Sequence, residues 1–165
     1  PEERKTMGLV LQNTIKFNLT LGVLDQFFGK VIGLNARKED EICQKYKDTL
    51  SIRTASVNQA VENLSGGNQQ KVVISKWLAS SPSILILDEP TRGIDVGAKF
   101  EVYGLIQEMV SRGISIIMIS SELPELLGLS DRVYVMHNGK INACLDRDQM
   151  DQQTVLNYAF GVNGK

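Results

Sequence analysis

The sequence predicts an α/β fold, mostly parallel sheet with covering helices, together with a small helical subdomain. Three observations point to it. Residues 64 to 145 alternate segments of helical apolar period with short apolar runs, the pattern of strand–helix–strand units. The strongest runs, Ile84 to Leu87 and Ile114 to Ile119, are strand-sized and nearly all apolar, as buried parallel strands are. Residues 1 to about 63 are instead polar, mixed and short of β-branched runs. The implied division is a helical subdomain with its link to the core over 1–63, a core portion over 64–146 and a C-terminal helix over 147–165.

Each element has a local cause. Ile15 to Phe28 and Arg37 to Leu50 read as helices, the second from Ile42, Tyr46 and Leu50 at four-residue spacing. Gly29 and Gly33 break the chain between them. Ser65-Gly66-Gly67 marks a helix N-terminus, Val73, Ile74, Trp77 and Leu78 give that helix an apolar face, and Ser80 to Ser83 with Pro82 ends it. The run Ile84 to Leu87 stops at Asp88-Glu89-Pro90. Asp95 is placed to cap the next helix, where Val102, Ile106, Met109 and Val110 recur with helical period before Gly113. Ile114 to Ile119 stops at Ser120-Ser121-Glu122, and a short helix follows around Pro124 to Leu127. Arg132 to Met136 and Lys140 to Cys144 flank Asn138-Gly139, a two-residue hairpin signal. Asp151 to Phe160 closes the chain as a helix.

Composition narrows the function classes. The 165 residues carry a formal net charge of −1, which argues against a nucleic-acid binder with its basic face. No apolar run approaches the roughly 20 residues that span a bilayer. Cys43 and Cys144 match no metal spacing, and two unpaired thiols suit a reducing cytoplasm. The chain begins at Pro1 with no signal peptide, and reads as excised from something longer.

Two segments carry chemistry. In open α/β sheets, ligands bind beyond the carboxyl ends of the strands, which is where Asp88-Glu89 and Ser120-Ser121 fall. Of an acidic pair there, one carboxylate can help hold Mg²⁺, and the next can orient an attacking water or take its proton. The same pair can also simply end a strand before Pro90. Leu64 to Gln70, LSGGNQQ, offers a second device: glycines let backbone N–H groups approach an anion, the helix points its positive end there, and Ser65 adds a hydroxyl. Taken alone, it is also an ordinary serine cap with a glycine turn.

In this order and spacing, LSGGNQQ followed one helix later by ILILDEPTRGID resembles the nucleotide-binding domain of ABC transporters, from about Pro1 to Cys144. The resemblance makes the chain part of a P-loop NTPase fold. It implies that Leu64 to Gln70 is the signature motif, with Ser65, Gly66, Gly67, Asn68 and Gln69 binding a nucleotide held by another ATPase half. It makes Ile84 to Asp88 the Walker B strand with Asp88 toward Mg²⁺, Glu89 the catalytic carboxylate, and Thr91 to Asp95 the D-loop, with Gly93 and Asp95 as its site residues. GNQQK, DEPTRGIDVGAK and SSELPELLGLSDR further resemble the second ATPase half of monosaccharide importers, nearest the galactose/methylgalactoside or ribose type. That subfamily implies ATP and Mg²⁺, a fused second ATPase half, membrane permease subunits, a periplasmic or extracellular sugar-binding protein, and a peripheral place on the cytoplasmic face of the inner membrane.

Two departures matter. No GxxxxGK[ST] occurs: Gly29-Lys30, Gly139-Lys140 and Gly164-Lys165 are not followed by Ser or Thr. The isolated chain is therefore expected to be inactive and to leave apolar sheet surface open. Ser121 stands where the family places a switch histidine, and a serine cannot carry its charge. The only histidine, His137, reads as a solvated hairpin residue. Other readings are a non-transport ABC ATPase of DNA repair or chromosome structure, disfavoured by the lack of sustained heptads, and a catalytically degenerate regulatory half.

Overall fold

The computed structural model describes residues 3–27 and 35–162. The breaks expected at Gly29 and Gly33, the helix end at Phe28, and Pro1, Lys30, Gly164 and Lys165 lie outside the described residues. The chain forms two compact units, Pro1–Ile119 and Ser120–Lys165.

In the first unit, a π-helical turn Arg4–Gly8 leads to α1 (Ile15–Thr20), a 3₁₀ segment Leu21–Phe27 and α2 (Ala36–Thr49). The helix expected over Ile15 to Phe28 is thus shorter: Val23, with φ −137° and ψ 24°, leaves helical geometry and kinks the chain. Val23 is buried with Ala79, and Ile42 and Tyr46 of the predicted stripe pack there. Asn18, fully buried, replaces absent ladder partners: its Oδ1 accepts from Val10 N at 2.7 Å and its Nδ2 donates to Val10 O and Thr14 O at 3.0 Å. Helix α3 (Gly66–Leu78) is capped by Ser65, and α4 (Val96–Ser111) by Asp95, whose Oδ1 accepts from Ala98 N at 2.9 Å. Val102, Ile106 and Met109 of α4 are buried as expected, whereas Val110 is exposed.

Strands β1 (Ile84–Asp88) and β2 (Ser115–Ile119) pair in parallel, Ile84 opposite Ser115 and Asp88 opposite Ile119. These strands are not buried on both faces. Leu85 and Leu87 are buried, but Ile84 and Ile86 are 59% and 63% exposed, and Ile117 and Ile119 53% and 51%. Successive side chains point to opposite faces, and nothing among the described residues covers the second face. Trp77, expected on the buried face of α3, is instead 47% exposed on an open groove of about 420 Å³ that Ile84 and Ile86 also line.

In the second unit, α5 (Leu123–Leu129) precedes an antiparallel hairpin of β3 (Arg132–His137) and β4 (Lys140–Asp146), and α6 (Gln152–Ala159) follows, capped by Asp151. Asn138 and Gly139, with φ 49° and 75°, turn the hairpin as expected. Val133, Val135, Leu145 and Val155 form its core. His137 is not a free hairpin residue. Its Nδ1 donates to Ala159 O at 2.7 Å, and its Nε2 accepts from Asn138 Nδ2 at 3.0 Å, tying the turn to the end of α6. Both cysteines are free, Cys43 buried and Cys144 exposed.

Candidate nucleotide site

Strand β1 delivers Asp88 to its carboxyl end, half-buried, and Glu89 follows in the left-handed region at φ 47°. That backbone is uncommon for a residue with a Cβ and costs roughly 1 kcal/mol. It persists because Glu89 N donates to Ile119 O at 2.8 Å, extending the sheet pairing past the strand. The chain then folds back: Arg92 N donates to Glu89 O at 3.1 Å, Ile94 N to Thr91 O at 3.4 Å, and Gly93 takes φ 69°. Asp95 ends this loop by capping α4.

At the start of α3, Ser65 is exposed, and its Oγ accepts from Asn68 Nδ2 at 2.9 Å and from Asn68 N at 3.5 Å. Both contacts use oxygen lone pairs, so the hydroxyl proton remains to be donated outward; among the described residues nothing accepts it. Asn68 is held in turn by Arg53 N, which donates to its Oδ1 at 2.8 Å. Arg53 and Lys71 both pair with Glu101 of α4, at 2.9 and 2.8 Å. Asn68 therefore orients the serine. Gln69 faces inward: it is buried, its Nε2 lies 3.4 Å from Val61 O, and its Oε1 has no partner among the described residues. This inward turn points it away from the exposed surface on which it was expected to meet a nucleotide.

The two glycines differ in what requires them. A Cβ at Gly67 would stand 2.5 Å from Ala98 Cβ, so Gly67 is the contact at which α3 and α4 approach. A Cβ at Gly66 would stand 2.8 Å from Arg4 Nη2 and 3.3 Å from Gly93 O. Arg4 donates to Arg92 O at 2.6 Å and to Gly93 O at 2.9 Å. The structure thus brings Ser65, Gly66 and Gly93 onto one surface, with Arg4 seated among them. Sequence reasoning missed Arg4, which lies 88 residues from Arg92 in the chain.

Ser121 belongs to the second unit and is exposed. Beside it, Ser120 Oγ donates to the buried Glu125 carboxylate and accepts from Glu122 N at 3.0 Å. Among the described residues no group of three or more His, Cys, Asp or Glu side chains could hold a metal ion. No helix among them is long and apolar enough to cross a membrane.

The family description "ABC transporter" matches residues 1–92. The chain belongs to the ABC transporter family. It is 51% identical over 98% of its length to the ribose import ATP-binding protein RbsA of Geobacillus kaustophilus, and 50% identical over 97% to the xylose import ATP-binding protein XylG of Thermoanaerobacter pseudethanolicus. It spans about a third of the length of these curated relatives, 33% and 32%. The fold is similar to that of the dimeric ATP-binding cassette MJ0796 bound to ADP and Pi, with a TM-score of 0.72 at 19% identity over 87% of this chain and 60% of that one. The ADP conformation of the ABC cassette MJ1267 gives 0.68 at 24% identity, over 92% and 60%.

Proposed function

We propose that the complete gene product carrying these residues hydrolyses ATP to power monosaccharide import, and that this chain supplies the Walker B carboxylates and a signature surface. The observation that carries the proposal is the acidic pair at the carboxyl end of a parallel strand, Glu89 held in left-handed backbone, in the same unit as the outward-donating Ser65. The relatives' names support the transport reading over a DNA-repair or chromosomal ATPase.

In this proposal Glu89 orients the attacking water and takes its proton. Asp88 would hold Mg²⁺. It offers a hard carboxylate oxygen with no cage of His, Cys, Asp or Glu around it among the described residues, which fits an ion that keeps waters and phosphate oxygens. Bound there, Mg²⁺ would offset charge on the phosphates. Ser65 and the first N–H groups of α3 donate to a nucleotide held by another ATPase half, with Gly93 and Asp95 shaping the adjoining D-loop. Gln69 takes no direct part, and Asn68 acts through Ser65. Ser121, at the position of the family's switch histidine, slows the site that it serves, so the signature surface becomes this half's larger contribution. Residues 1–63 form the helical subdomain facing permease subunits, 64–146 the catalytic core and 147–165 the C-terminal helix. The assembly sits peripherally on the cytoplasmic face of the membrane and receives sugar from a sugar-binding protein outside it. Near-equal identity to ribose and xylose proteins supports a choice of sugar made elsewhere.

The test measures sugar-stimulated ATP turnover by the complete gene product with its permease. Ser65→Ala removes a fixed donor and is expected to lower kcat by about 10²–10³. Glu89→Gln is expected to cost less, because its own site is the slow one. If Glu89→Gln abolishes turnover while Ser65→Ala does little, the asymmetric assignment is wrong.

A further inference from the structure

Arg4 lies outside every motif, yet its guanidinium occupies the seam between two of them. Its Nη1 and Nη2 reach the carbonyls of Arg92 and Gly93 separately, at 2.6 and 2.9 Å. The slot that it fills is walled by glycines: a Cβ at Gly66 would come within 2.8 Å of Nη2, and one at Gly93 within 3.5 Å of Nη1. One glycine belongs to the signature turn and the other to the D-loop; a side chain at Gly66 would collide with the cation, whereas one at Gly93 would only touch it. The seat is partly dry. Burial lowers the Arg4 pKa below its ordinary value, and its buried Nε has no partner among the described residues. A lysine, with one nitrogen, would not reach two carbonyls through a planar fork.

Within the D-loop, Arg92 N donates to Glu89 O at 3.1 Å and Ile94 N to Thr91 O at 3.4 Å. The two bonds from Arg4 are shorter and charge-assisted. We infer that Arg4 is a positioning residue: it clamps the D-loop carbonyls against the signature glycine, so that both segments meet the other ATPase half as one rigid surface. The clamp itself follows from the geometry; its consequence for turnover rests on the ATPase reading above.

The test uses the complete gene product with Arg4→Ala, Arg4→Lys, Gly66→Ala and the Arg4→Ala/Gly66→Ala double variant. Backbone hydrogen exchange is read at Arg92 to Asp95, and ATP turnover is measured with the permease. Arg4→Ala is expected to speed exchange at Ile94 about tenfold while exchange in α2 is unchanged. It is also expected to lower kcat about tenfold with KM for ATP within about twofold, since Arg4 touches no nucleotide. Gly66→Ala evicts the guanidinium, so it is expected to cost at least about threefold less activity in the Arg4→Ala background than in the parent. Unchanged exchange at Ile94, or an equal cost of Gly66→Ala in both backgrounds, overturns the inference. If Arg4→Ala raises exchange throughout, Arg4→Lys decides, because it keeps the stem and the charge. If exchange shifts as expected but neither Ser65→Ala nor Glu89→Gln alters turnover, the clamp stands and the ATPase reading fails.

Discussion

Gly67→Ala isolates the packing of the signature helix from its chemistry. The added methyl would stand 2.5 Å from Ala98 Cβ, where carbon atoms rest at about 3.5–4.0 Å. Ala98 has no flexible side chain to swing aside, so α4 must retreat by at least about 1 Å. Overpacking of this kind costs about 1–3 kcal/mol. Alanine's helix preference returns less than its full ~1 kcal/mol at so early a position. The expected net loss is about 1–2 kcal/mol, read as a lowered urea midpoint. Ala98→Gly by itself costs up to about 1 kcal/mol of helix propensity. In the double variant the collision disappears, so the two losses do not add, and a coupling of about 1–2 kcal/mol is expected. A Gly67→Ala protein as stable as its parent, or additive losses in the double variant, would refute the close approach of the helices. The result also bears on activity: damage from a bulky residue at Gly67 need not report on an anion, which is why Ser65 is the better probe.

Three further outcomes are expected. The Glu101 carboxyl is held below its ordinary value of 4.5, first by the hydrogen bond from Lys71 and then by the Lys71 and Arg53 charges. A depressed carboxylate stabilises the fold above the unfolded value and loses that contribution as pH falls through the folded one. The gap in urea midpoint between the parent and Glu101→Gln is therefore expected to be full at neutral pH and to close below 4.5; a gap that widens in acid would contradict the pairing. Asn18→Ala leaves the part-buried Val10 N–H and C=O without their side-chain partner and is expected to cost about 1–3 kcal/mol in chemical denaturation, with a loss under about 0.5 kcal/mol counting against the assignment. Cys144 is exposed, whereas burial pushes the Cys43 thiol up to about 11, so a disulfide reagent at mildly alkaline pH is expected to label one thiol rapidly and the second only on unfolding.

What could be read from the sequence was local. Ser65, Asp95 and Asp151 cap their helices because each cap depends on an amide three residues away. Asn138-Gly139 turns the hairpin for the same short-range reason. What escaped depends on distant partners. Whether Ile84 and Ile86 are covered depends on what lies over the sheet, and an apolar run says nothing of that. Gly67 answers to Ala98, and Gly66 to Arg4, neither of them visible in a window around LSGGNQQ. Asn68 and Gln69 read alike as polar signature residues, yet one turns back onto the Ser65 hydroxyl and the other into the core. The Glu89 carboxylate was legible from its place at a strand end; its left-handed backbone was not.

Glu89 and Asn138 share nearly the same φ, 47° and 49°, but only asparagine tolerates that conformation readily. On backbone conformation alone, a glycine or asparagine at position 89 would carry less strain than glutamate does. On the function proposed above, exchanging Glu89 for either residue would relieve that strain and remove the proton acceptor together, while the surface around Ser65 would stay on offer to a neighbour.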